Sequence, residues 1–184
     1  MKRNLLILTV LLAMGLTGSA FAQSAHDVVF DYVAFAVMRV YDAATDVTIE
    51  VNSSVITTPG ESGAGATATG DISKYVQYTS FTNSGAVVIS ATRGVLPTGV
   101  TVLAVDPTAC GTGGGSHGSE AAAGYISIPT GSSTNILTGI GSAYTGVGAT
   151  DGAEMAYRAT FDLASLLWAE DGSSVTVTYS IAGW

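Results

Sequence analysis

Met155-Ala156-Tyr157-Arg158-Ala159-Thr160-Phe161-Asp162-Leu163 decides the fold class. Large apolar residues fall at every second position, with Arg158, Thr160 and Asp162 between them. Successive side chains of a strand point to opposite faces, so this pattern is a β-strand with one face in a core and one in water. The same period returns on both sides of it. Val175, Val177, Tyr179 and Ile181 alternate with Thr176, Thr178 and Ser180. Val47, Ile49 and Val51 alternate with Thr48 and Glu50, and Val76 and Tyr78 with Gln77 and Thr79. Val87, Ile89 and Ala91 have Ser90 and Thr92 opposite them. Val100 to Val105 is a further run, and Tyr125 to Ile128 and Asn135 to Ile140 are shorter ones.

Turn-forming residues punctuate these runs: Pro59-Gly60, Asn83-Ser84-Gly85, Pro97-Thr98-Gly99, Pro129-Thr130-Gly131 and Asp171-Gly172. No helical period of useful length occurs, and Ala164 to Glu170 reads as one helical turn or a corner. About eight or nine short strands joined by polar, Gly-rich turns predict an all-β chain, an immunoglobulin-like antiparallel β-sandwich. Residues 60–70 and 111–119 are low in complexity and read as flexible loops within one domain.

The first alternating stretch differs from the others. Val28, Phe30, Tyr32, Ala34, Ala36, Met38 and Val40 share one parity, but Val29, Val33, Phe35 and Val37 share the other. A strand apolar on both faces must be covered on both, whereas an ordinary sandwich strand is covered on one. It is either a central strand of its own sandwich or a strand given to a neighbouring subunit. The interface candidates are therefore Val28, Phe30, Tyr32, Val33, Phe35, Val37, Met38 and Val40, on a segment spanning about residues 27–40.

Composition excludes several roles. Six Lys and Arg against 14 Asp and Glu give 184 residues a formal net charge of −8, which disfavours a nucleic-acid partner. One Cys cannot form an internal disulfide or a Cys-rich zinc site; Cys110 is left as a possible inter-chain thiol. Lys2 and Arg3, the apolar run Leu5 to Leu16 and Ala20-Phe21-Ala22 spell a signal peptide cleaved after Ala22. The run is shorter than the roughly 20 residues that span a bilayer. The expectation is an exported chain, residues 23–184, extracellular or at the cell surface, with no membrane span.

Chemical motifs match on composition alone. Gly113 to Gly118 fits a dinucleotide fingerprint, but only Ala121-Ala122-Ala123 follows it where a helix is required. Gly114-Gly115-Ser116-His117-Gly118 fits a nucleophile elbow, but no His follows His117. Asp42, Asp46, Asp151, Glu154 and Asp162 are too scattered for a calcium loop. No catalytic set stands out and no cofactor is expected.

The opening alternating segment His26 to Val37, the middle stretches Val87 to Ala91, Leu96 to Val102 and Leu137 to Gly141, and the closing Val175 to Ile181 occur in an order that resembles bacterial secreted β-sandwich proteins. The layout is similar to fibre subunits of the chaperone–usher and spore-coat-U pilin type. The resemblance implies a structural subunit that polymerises by strand exchange with copies of itself. The single Cys departs from that group, whose members usually carry a disulfide. The other reading is a monomeric binding module for a surface carbohydrate or protein, using loops 60–70 and 111–119.

Overall fold

The structure is a computed structural model and describes residues 28–29, 31–52, 54–55, 57, 63–82, 85–162 and 172–184. The chain divides into two compact units, 1–32 and 33–184. Of the first, only Val28, Val29, Asp31 and Tyr32 are described, and none is in a strand. The signal segment and the possible helical turn at 164–170 lie outside the described residues. No described helix is long and apolar enough to cross a membrane.

The second unit is all-β. Its strands are β1 (Phe35–Tyr41), β2 (Ala66–Thr69), β3 (Lys74–Phe81), β4 (Val87–Arg93), β5 (Val100–Thr108), β6 (Gly114–Gly115), β7 (Ser119–Glu120), β8 (Ile126–Ser127), β9 (Thr134–Ile140), β10 (Ala143–Tyr144), β11 (Ala153–Phe161) and β12 (Val177–Ala182). Eight strands and four strands form two antiparallel sheets, giving the expected β-sandwich. Eight of the twelve are four residues or longer, in line with the alternation; the others are two-residue pieces.

One long ladder organises the sandwich. The stretch 66–93, carrying β2, β3 and β4, runs antiparallel to 134–161, carrying β9, β10 and β11. Both stretches pass from one sheet into the other at a shared corner. There the Thr82 amide donates to Ser142 Oγ at 3.0 Å, Ser142 Oγ donates to the Thr82 carbonyl at 2.7 Å, and Ser80 Oγ donates to the Gly141 carbonyl. Corners of this kind are how strands switch sheets in a sandwich. The two sheets are therefore two limbs of one bent sheet. A third stretch, β5 to β7, lies along the other side of 134–161.

Between the limbs lies the core. Val76, Val87, Ile89, Val105, Ile128, Ile136, Leu137, Ile140 and Met155 are fully buried. Each such side chain is worth about 1.5–3 kcal/mol over its exposed state. A smaller cluster of Ala68, Leu103, Ala159 and Phe161 fills one end. The hydroxyls of Tyr157 and Tyr179 meet at 2.8 Å and tie β11 to β12 across the core.

Three sequence expectations change. Residues 111–119 are not a free loop: β6 and β7 pair with β10 and β9. Gly113, at φ +79°, shows why glycines stand there, since a Cβ would lie 1.8 Å from the Tyr144 carbonyl oxygen. They permit close backbone approach rather than motion. In the same way, 66–69, within the low-complexity stretch 60–70, is strand β2. Val47 to Val51 forms no strand; Ile49 makes only an isolated bridge to Gly70. The Asp71 side chain takes the Thr48 amide at 2.7 Å, so a carboxylate holds this segment where a ladder was expected.

Candidate functional site

The free side of the stretch 66–93 is occupied by the two ends of the chain. β1 pairs with β3 from Phe35↔Phe81 to Tyr41↔Tyr75. β12 pairs with β4 from Val177↔Arg93 to Ala182↔Val88. The last described strand therefore runs toward the corner at 82–86, and the first runs away from it. The approach is close: a Cβ on Gly183 would stand 2.6 Å from the Ala86 carbonyl oxygen. β1 and β12 form one edge, interrupted at the corner.

Among the described residues, neither strand has a second partner on its outer side. Both keep an unbroken register, with no bulge. Neither contains Pro, and their sequences, Phe-Ala-Val-Met-Arg-Val-Tyr and Val-Thr-Tyr-Ser-Ile-Ala, hold one charge, Arg39. That charge is engaged, its Nε donating to Gln77 Oε1 at 2.7 Å. Natural sheet edges are usually blunted by charged side chains, Pro, bulges or shortness, and of these devices this edge has only the single charge of Arg39.

The candidate interface residues fall into groups. Met38 and Val40, with Ala36, point inward and pack on the core, as do Val177, Tyr179 and Ile181 of β12. All six remain only half-buried. Phe35 and Val37 point outward and are exposed, as is Val33 before the strand. Val28 and Tyr32 are exposed within the first unit, and Phe30 lies outside the described residues. The segment expected as a strand from about 27 is thus a strand only from Phe35, paired with β3 of its own chain. Cys110 is buried, and its thiol donates to the Thr112 carbonyl at 3.2 Å. A bond from it to another chain requires the segment around Thr112 to open.

The outward apolar residues of β1 have company. Phe35 stacks on Phe81 with ring centroids 6.2 Å apart. Val37 faces Thr79, which faces Tyr144 on the next strand, and the Tyr144 ring covers Gly114. Farther along the same face, Tyr41 lies opposite Tyr75. A shallow cavity of about 190 Å³ lies among Val37, Arg39, Gln77, Thr79, Gly146 and Val147. This face was not readable from the sequence, because its aromatics come from three separate stretches that only the register aligns.

His117 is used as scaffold: its Nε2 lies 3.0 Å from the Tyr144 carbonyl, and its own carbonyl accepts the Tyr78 hydroxyl at 2.8 Å. The described residues hold no group of His, Cys, Asp or Glu able to bind a metal ion. Burial pushes the hydroxyls of Tyr78, Tyr157 and Tyr179 above the ordinary tyrosine pKa.

Known proteins give no match. Neither family models, nor curated proteins, nor solved structures resemble the chain significantly.

Proposed function

We propose that the protein is a structural subunit, exported and assembled with copies of itself outside the cell into a filament or surface layer. The joint is β-strand addition at the edge made by β1 and β12. One observation carries this reading: the edge is long and regular, has no outer partner among the described residues and holds a single charge, in a chain with 14 carboxylates of which none lies on either strand. An exposed row of backbone donors and acceptors is a template for another strand, with main-chain hydrogen bonds supplying affinity. Electron microscopy of the purified chain, beside material sheared from the surface of its producing cell, tests the reading. Ordered assemblies containing the chain support it. Dispersed monomers in both samples overturn it.

A second reading rests on the outer face. Phe35, Phe81, Tyr144, Tyr41 and Tyr75 line one side of one sheet, with Arg39 and Gln77 among them. Flat rings beside polar side chains suit the apolar faces and hydroxyls of a polysaccharide. Retardation of the protein in gels containing soluble polysaccharide, abolished by Tyr144→Ala, is the expected result. Unaltered migration across a panel of such gels removes it.

A further inference from the structure

The direction of the two edge strands fixes more than the existence of a joint. β12 runs toward the corner and β1 runs away from it, on the two limbs of the bent sheet. A two-fold axis through the corner, bisecting the limbs, exchanges one limb for the other and sets a second copy against the bare edge. It lays β12 of the second copy along β1 of the first, and β1 of the second along β12 of the first. Both pairs are then antiparallel, whatever the angle between the limbs. We propose that the chain forms a closed two-fold dimer through this reciprocal pairing, β1 with the second copy's β12. The inference rests on the strand-addition reading above and names its partner and symmetry.

Four features of the edge fit a second copy of itself. The strands are matched in length, seven residues and six, so both pairs form together. Their registers on β3 and β4 are free of bulges that would turn the edge away. Arg39 is their one charge, so no like charges meet along either pair, although the chain as a whole is strongly acidic. Last, the inward side chains of the edge are the incompletely covered part of the core. Ala36, Met38, Val40, Val177, Tyr179 and Ile181 are half-buried, whereas Val76, Ile89 and Leu137 behind them are fully buried. The two-fold operation brings the same apolar seam from the second copy against this one, and each limb continues into a limb of its partner. Such an interface is isologous, so it closes at two copies. A larger array is then built from these pairs through another surface, for which the outer face around Phe35, Phe81 and Tyr144 is the apolar candidate.

The test uses the full chain as its producing cell processes it. Cys110→Ser keeps the donor to Thr112 and removes the native thiol. Val37→Cys and Ser180→Cys are then introduced separately into this background. Both sites face outward on exposed positions of β1 and β12. In the proposed dimer, Val37 of one copy lies on the same outer face as Ser180 of the other, while the two Val37 side chains lie on opposite faces of the sandwich. After the two variants are mixed, a short bismaleimide is expected to link them into a species with the mass of two copies, and to link neither variant alone. Val37→Lys is expected to weaken the association at least tenfold in sedimentation, with near-ultraviolet circular dichroism unchanged. A link between two Val37→Cys copies overturns the reciprocal pairing but leaves strand addition standing. Links between Val37→Cys and Ser180→Cys in species that grow past two copies overturn the closed dimer and establish a head-to-tail filament. A monomer at all concentrations, unlinked in every mixture, overturns both readings.

Discussion

The bent sheet has two borders, and the chain treats them in opposite ways. At the border beyond β5, the segment 126–130 is fastened to both limbs. The Ile128 amide donates to the Leu103 carbonyl at 2.9 Å, and Arg93 Nε donates to the Ile128 carbonyl at 2.6 Å. The Arg93 amide reaches the Pro129 carbonyl at 3.0 Å, and its guanidinium reaches Thr130 Oγ1 at 2.5 Å. Ile128 is fully buried beneath this seam. At the border made by β1 and β12, two complete strands have no outer partner among the described residues, and their inward side chains stay half-covered.

The largest effect is expected from breaking the closed border. Ile128→Ala leaves a cavity under the Arg93 seam and should cost about 2–5 kcal/mol in urea unfolding. Self-association of the folded fraction should be unaltered, because the open border is untouched. Tyr179→Phe acts between the two borders. It removes a hydroxyl from the 2.8 Å pair and leaves that of Tyr157 short of a partner, for a loss of about 1–2 kcal/mol in the same assay.

Alkali probes the same pair together with Tyr78. All three tyrosines have folded-state pKa values raised above the ordinary 10.0, chiefly by burial. Below pH 10 the hydroxyls are protonated in folded and unfolded chains alike, so stability should be flat on their account. Above it the unfolded chain loses protons first, and stability should fall by up to about 1.4 kcal/mol per pH unit for each tyrosine. Urea midpoints measured from pH 8 upward check the slope, and Tyr179→Phe should make it shallower.

The smallest effect on stability belongs to the open border itself. Val37→Lys places a charge on an exposed edge position and should shift unfolding by no more than about 0.5 kcal/mol. If the border is an ordinary solvated edge, its association behaviour will match that of the native chain, and the contrast drawn here collapses.

The sequence carried the period of the strands well and their pairing poorly. β11 and β12 follow the alternations at Met155–Leu163 and Val175–Ile181, because one face of each is buried and burial is what alternation records. The double-sided apolar stretch at 28–40 was also a real signal. Its cause is not a central position but the outward Phe35 and Val37, which join Phe81 and Tyr144 on the surface. β6 and β7 were invisible because Gly-Gly and Ser-Glu have no hydrophobic period; their place is set by close backbone contact, as at Gly113. The edge itself was legible as residues and illegible as a site, since it exists only where Ala182 and Phe35 arrive at one corner from opposite ends of the chain.

The central ladder also sets a clock. Residues 66–93 pair along one side with 134–161, so 40 residues separate Arg93 from the first partner strand, which begins at Thr134. At synthesis speeds of about 5–20 residues per second, that is roughly 2–8 s in which a 28-residue stretch carrying three strands has no mate on that side. Pairings so distant along the chain place folding at the slow end for domains of this size, in milliseconds to seconds.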